Sequence, residues 1–126
     1  MGVIETLREQ AICAMGFSYA PYSKFHVGAA VMDENGKIFT GCNIENASYG
    51  ATICAERTAI LKAVSEGHQN LKEIMIVCDG EQFPYPCGMC LQVMSEFMPD
   101  GLVHVTNGDE IKTFTLKELM PHAFDL

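Results

Sequence analysis

Two short cysteine stretches, Cys54-Ala55-Glu56 and Pro86-Cys87-Gly88-Met89-Cys90, constrain this chain more than any other feature. Each follows a loop and opens a segment with helical patterning, 54–66 and 87–97. Cys87 and Cys90 are three apart and so share one face of a first helical turn. A fold that gathers the three sulfurs must aim two helix N-termini at one point. Their partial positive charge there favours thiolate over thiol.

Three thiolates leave one position of a tetrahedral zinc open for water, as a catalytic site requires. The pKa of such a water falls to about 7. Glu56, two residues after Cys54, is placed to take the water's proton and hand it on. A lone Cys-x-x-Cys is weak, because redox pairs and structural zinc sites share it. The upstream Cys-Ala-Glu and the Pro before Cys87 make the signal specific, and the whole matches the three-cysteine pattern of zinc nucleobase deaminases. The competing readings are a closed four-cysteine structural site completed by Cys42 or Cys78, and a thiol–disulfide pair. The second needs neither Cys54 nor Glu56.

At 126 residues the chain is long enough for a single domain, 1–126, with a real core. It has no run of about 18 apolar residues, so no membrane span is expected. Met1 to Gln10 carries Glu5, Arg8 and Glu9 in a helical pattern, which is not a signal peptide. The six cysteines are therefore expected in a reducing compartment, the cytoplasm, where metal binding outweighs disulfide formation. Net charge is -8, with eight Lys and Arg against sixteen Asp and Glu. No basic stripe is available to neutralise phosphates, so a nucleic-acid partner is not expected and a small, uncharged substrate is.

In chain order, residues 3–17 read as a helix with Leu7, Ala11, Ile12 and Met15 near one face. Cys13 in that helix reads as a small buried hydrophobe. Residues 20–25 form a loop. Residues 27–32 are an apolar strand, expected to be buried on both faces, and Asn35-Gly36 turns it into an antiparallel partner over 38–42. Asn43 and Glu45, two apart in extended chain, point the same way. They could grip a diol, or form a polar turn that caps the next helix. Further strands are predicted over 73–78, 102–106 and 111–115, with a last short helix from Thr115 to before Pro121. His26 reads as structural or solvated, and His68, His104 and His122 as non-catalytic, with His104 facing solvent. This order implies an α/β fold with a five-stranded mixed sheet between helices on both faces.

Four segments closely resemble the small homotetrameric cytidine deaminases. They are Pro21-Tyr22-Ser23-Lys24-Phe25-His26-Val27-Gly28-Ala29-Ala30, Gly41-Cys42-Asn43-Ile44-Glu45-Asn46-Ala47, Cys54-Ala55-Glu56-Arg57-Thr58-Ala59-Ile60 and Pro86-Cys87-Gly88-Met89-Cys90. The ending Leu119-Met120-Pro121-His122-Ala123-Phe124 is also similar. The resemblance implies the three-layer α/β/α fold of that family and one Zn²⁺ per subunit on Cys54, Cys87 and Cys90. It implies hydrolysis of cytidine and deoxycytidine to uridine and deoxyuridine, with release of ammonia, in pyrimidine salvage. By the same resemblance Glu56 shuttles the proton, Phe25 stacks on the pyrimidine, and Asn43 and Glu45 hold the ribose 3′-hydroxyl. The Ala55 backbone reads the pyrimidine amide edge. Ala47, Tyr49 and Phe124 reach a neighbouring subunit's site.

One position departs from the family. Leu91 stands where an arginine usually follows the second cysteine of the pair, while Gln92 is kept. That bears on the charge around the sulfurs, where Arg57, one helical turn after Cys54, can donate to a thiolate. A plain surface arginine is the alternative for Arg57. Blasticidin-S-type deaminases share the cysteine pattern and are the nearest rival enzymes, and a non-catalytic zinc module is a further rival.

Overall fold

In the computed structural model, which describes residues 2–126, the elements run α1 Val3–Met15, β1 Val27–Asp33, β2 Ile38–Cys42, α2 Ala55–Ser65, β3 Leu71–Cys78, α3 Gly88–Phe97, β4 Leu102–Thr106, β5 Ile111–Thr115 and α4 Leu116–Leu119. A single 3₁₀ turn, Tyr49–Ala51, precedes α2. The five strands form one sheet in the order β2-β1-β3-β4-β5. Only β3 and β4 run parallel, with α3 as the crossover between them, so the sheet is mixed as expected.

The β1 segment lacks alternation because it has neighbours on every side. Strands β2 and β3 pair with its two edges. Ala29 and Val31 face one way, into a core with Ala59, Ile60 and Ala63 of α2 and Met94 of α3. Ala30 faces the other way, against Leu7 and Ala11 of α1. This is the three-layer arrangement. Both helices come very close to the sheet, and glycine is what permits it. A Cβ at Gly28 would strike the Ala11 carbonyl and lie 2.7 Å from the Met15 nitrogen, while one at Gly41 would lie 2.5 Å from the Ala59 nitrogen. Gly28→Ala is therefore expected to destabilise by about 1–3 kcal/mol or more, the cost of overpacking a dense core. The check is the midpoint of chemical unfolding, and an unchanged midpoint would mean that α1 can lift off the sheet freely.

The hairpin at 33–37 turns where Asn35-Gly36 indicated, with Gly36 at φ 86°. Asp33 closes it, since its Oδ1 accepts the Asn35 and Lys37 amides and its Oδ2 meets His68 Nδ1 at 2.6 Å. His68 is thus a structural partner. Three expectations are corrected. Ile12 is 44% exposed and Cys13 is exposed, because α1 buries only the narrow stripe of Leu7 and Ala11. His104 is buried rather than solvent-facing. β4 lies inside the sheet, and both ring nitrogens find partners, Thr113 Oγ1 at 2.8 Å and Glu73 Oε2 at 3.0 Å.

Candidate active site

Cys54 and Cys87 are the N-cap residues of α2 and α3, in extended conformation, and neither side chain caps its own helix. A Ser or Asp there would normally accept an N–H of the first turn. Here each sulfur is left free to point outward, and Cys90 joins them from the first turn of α3. The three sulfurs lie within 4.8 Å of one another, with Cys54 and Cys87 at 4.0 Å. Tetrahedral zinc with Zn–S bonds of about 2.3 Å needs sulfurs about 3.8 Å apart, so the donor set fits that ion. Neither Cys42 nor Cys78 belongs to the cluster. Cys78 is turned toward the carbonyls of Gly80 and Gln82. The four-cysteine reading therefore fails, and the fourth position is left to something other than sulfur.

Charge is distributed unevenly among the thiols. Cys54 is pulled down to about 5, first by a hydrogen bond from Cys90 and then by Arg57, whose Nη2 lies 3.5 Å from its sulfur. Cys90 is pushed up, because its proton is committed to Cys54 and the site is buried. Cys54 is thus the ready thiolate, and Arg57 is no plain surface arginine. Glu56, 5% exposed, is raised to about 7, chiefly by burial. A carboxyl near neutral pKa can both take and give a proton at physiological pH.

A cavity of about 230 Å³ joins these groups to the substrate-side residues. Phe25, Asn43, Glu45, Cys54, Ala55, Glu56 and Cys87 all line it. A second hollow of about 370 Å³, lined by Tyr22, Ser23, Glu45, Tyr49 and Thr52, continues from it through shared residues Ser23, Glu45 and Thr52. Asn43 does not cap the next helix. Its Oδ1 accepts the Val27 amide at 3.0 Å and its Nδ2 donates to the Phe25 carbonyl at 2.8 Å. That leaves one amide N–H and one lone pair for a ligand. Glu45 likewise turns toward the 20–25 loop, accepting the amides of Tyr22 and Ser23. The Phe25 ring sits against Gly80, where a Cβ would lie 3.1 Å from the ring.

Two anticipated residues stand apart within one chain. Ala47 is exposed and lines neither hollow, and Phe124 is 71% exposed, its carbonyl held by Gln92 Nε2 at 3.1 Å. Three hydroxyl-bearing lining residues are not marked as ligands by the motifs: Ser23, Thr52 and Tyr85. Each lies within two residues of a residue that was singled out, namely Phe25, Cys54 and Cys87. That adjacency was the available signal.

The profile of the cytidine and deoxycytidylate deaminase zinc-binding region matches residues 1–106. A cytidine deaminase of Halalkalibacterium halodurans is 48% identical over 95% of this chain and 92% of its own length. The crystal structure of a cytidine deaminase from Burkholderia pseudomallei superposes with a TM-score of 0.91 at 42% identity, covering 95% of this chain and 98% of that one. A blasticidin-S deaminase of Bacillus cereus stands further off, 37% identical over 79% of this chain and 76% of its own. The chain belongs to the zinc-binding cytidine and deoxycytidylate deaminase family.

Proposed function

We propose that this chain, acting as a single domain over residues 1–126, hydrolyses cytidine and deoxycytidine to uridine and deoxyuridine with release of ammonia. One observation carries the reading. The buried Glu56 carboxyl sits beside a three-thiol cluster, in a cavity also lined by the Phe25 ring and the Glu45 carboxylate. Cys54, Cys87 and Cys90 would hold Zn²⁺, which supplies a water acidified to about neutral pKa. Glu56 would take a proton from the attacking water and give it to ring N3, then take the proton of the new C4 hydroxyl and give it to the amine, which leaves as ammonia. Phe25 stacks on the pyrimidine, the Ala55 backbone meets its amide edge, and Asn43 and Glu45 hold the ribose 3′-hydroxyl. The test is loss of the cytosine absorbance band with cytidine but not with blasticidin S, run alongside a zinc determination. A preference for blasticidin S would favour the rival enzyme, and zinc without any turnover would favour a structural module.

Free nucleosides are expected to be used and polynucleotides refused. A carboxylate gripping the 3′-hydroxyl would repel a 3′-phosphate, and a chain of net charge -8 draws in no backbone. Comparable rates on cytidine and on a single-stranded oligonucleotide containing cytosine would refute this.

The proposal extends to a homotetramer with 222 symmetry, the common closed form for four like subunits. Tyr49 is 77% exposed and Phe124 71%, while Ala47, two residues before Tyr49, is exposed as well, as residues that complete a neighbour's site would be. Sedimentation at assay concentration is expected to show the tetramer, and a fully active monomer counts against it. No helix among the described residues is long and apolar enough to cross a membrane. A cytoplasmic place in pyrimidine salvage fits the substrate and the six free thiols.

A further inference from the structure

We infer that Ser23 is a positioning residue that holds the Glu45 carboxylate and the Phe25 ring in register, and that selectivity for the 3′-hydroxyl depends on its side-chain hydroxyl. The inference rests on the assignment of Glu45 and Phe25 to sugar and base given above.

A serine hydroxyl has one proton to give. Here it goes to Glu45 Oε2, which as a carboxylate oxygen can only accept. The same oxygen of Ser23 accepts the Phe25 amide at 3.0 Å, so the hydroxyl is committed at both ends. Glu45 Oε1 is already taken by the amides of Tyr22 at 3.0 Å and Ser23 at 3.1 Å. Oε2 is therefore the oxygen with a lone pair left for a sugar, and Ser23 fixes its direction. The carboxyl is held below its ordinary value first by this hydroxyl, which keeps it the acceptor that a ribose hydroxyl needs.

Between Ser23 and Phe25 the chain passes through Lys24 at φ 61°, the left-handed region that a side-chain-bearing residue seldom adopts. Such a turn persists only where its surroundings over-determine it. The bonds from 22, 23 and 25, together with the Lys24 amide on the Ala20 carbonyl at 3.0 Å, do that. They also set where Phe25 leaves the turn. Its amide is held by Ser23 and its carbonyl by Asn43, so the ring has a fixed root beside Gly80.

The test compares cytidine with 3′-deoxycytidine on the zinc-loaded enzyme, using the wild type, Ser23→Ala and Ser23→Thr, with zinc content and melting temperature recorded. Ser23→Ala is expected to raise KM for cytidine about 10-fold with kcat changed less than about 3-fold, the pattern of lost ground-state binding. It should also shrink the cytidine to 3′-deoxycytidine ratio of kcat/KM by about 10-fold, the scale of one charge-assisted hydrogen bond. Ser23→Thr, which keeps the hydroxyl, should restore both. An equal loss on the two substrates, with the ratio unchanged, overturns the inference and leaves the Glu45 assignment standing. Loss of selectivity in Ser23→Thr, folded and zinc-loaded, overturns it as well, since the hydroxyl is still there. A wild type that uses both substrates equally defeats the Glu45 assignment itself, and the inference falls with it.

Discussion

Glu56→Gln is expected to keep the fold and the zinc and to lose about 10² to 10⁴-fold in activity, the usual worth of general acid–base help, or more where one group acts in several steps. The amide has the same shape as the carboxyl and fits the same buried place, where Glu56 is only 5% exposed. It cannot accept a proton, and so can relay none to N3 or to the amine. The variant should not be less stable. Burial first raises Glu56 from 4.5 to about 7. A carboxyl raised in the folded state stabilises it below the unfolded value, and that stability is lost as pH rises through 4.5 to about 7. Glutamine carries no such penalty, so metal-free Glu56→Gln should melt at or above the wild type at pH 8. Activity and melting temperature thus move independently. Near-normal turnover in the zinc-loaded variant would sink the mechanism.

What could be read from the sequence was what depends on short-range geometry. Cys87 and Cys90 had to share a face because three residues make most of a helical turn. Cys54 and Glu56, two residues apart at a loop-to-helix boundary, flank the start of α2. The unbroken apolar run Val27-Gly28-Ala29-Ala30-Val31 reads as a strand covered on both sides, and it is one. What depends on how distant segments meet was not legible. Asn43 and Glu45 were recognisable as a same-facing pair. That they clamp the backbone of 22–27 follows from how two loops dock, which no local pattern encodes. The left-handed Lys24 carries no sequence mark at all, since glycine or asparagine would be the usual sign. Periodicity in α1 located a face but not its width, which is why Ile12 and Cys13 were misplaced. His104 was misjudged because its partners, Glu73 and Thr113, come from other strands. Ala47 and Phe124 line neither hollow of one subunit, and the part proposed for them at a neighbour's site needs a second copy of the chain.

Arg57→Ala is expected to lower activity at neutral pH by about 10 to 100-fold, the range for groups that orient and tune metal ligands. Three thiolates on Zn²⁺ sum to a net charge of -1. Excess negative charge makes the ion a poorer Lewis acid and leaves its water less acidic. Something must draw charge from the sulfurs. The N-termini of α2 and α3 supply part of it. Arg57 supplies a side-chain cation, with Nη2 at 3.5 Å from Cys54 Sγ. Its Nε is buried and has no hydrogen-bond partner among the described residues. Leu91 occupies the place where the family usually offers a second arginine, and here it packs against the apolar core instead. Two signs follow. The loss in Arg57→Ala should shrink at higher pH, as a less acidic water ionises at last. Zinc retention against a chelator should fail at a higher pH than in the wild type, because the Cys54 thiol, now near 5 partly through Arg57, would hold its proton longer. Leu91→Arg, one turn after Cys87, should restore part of both. The experiment is a pH–rate profile and a chelator titration on the single and double variants. If Arg57→Ala leaves profile and zinc retention unchanged, the charge argument is wrong, whatever Leu91→Arg does.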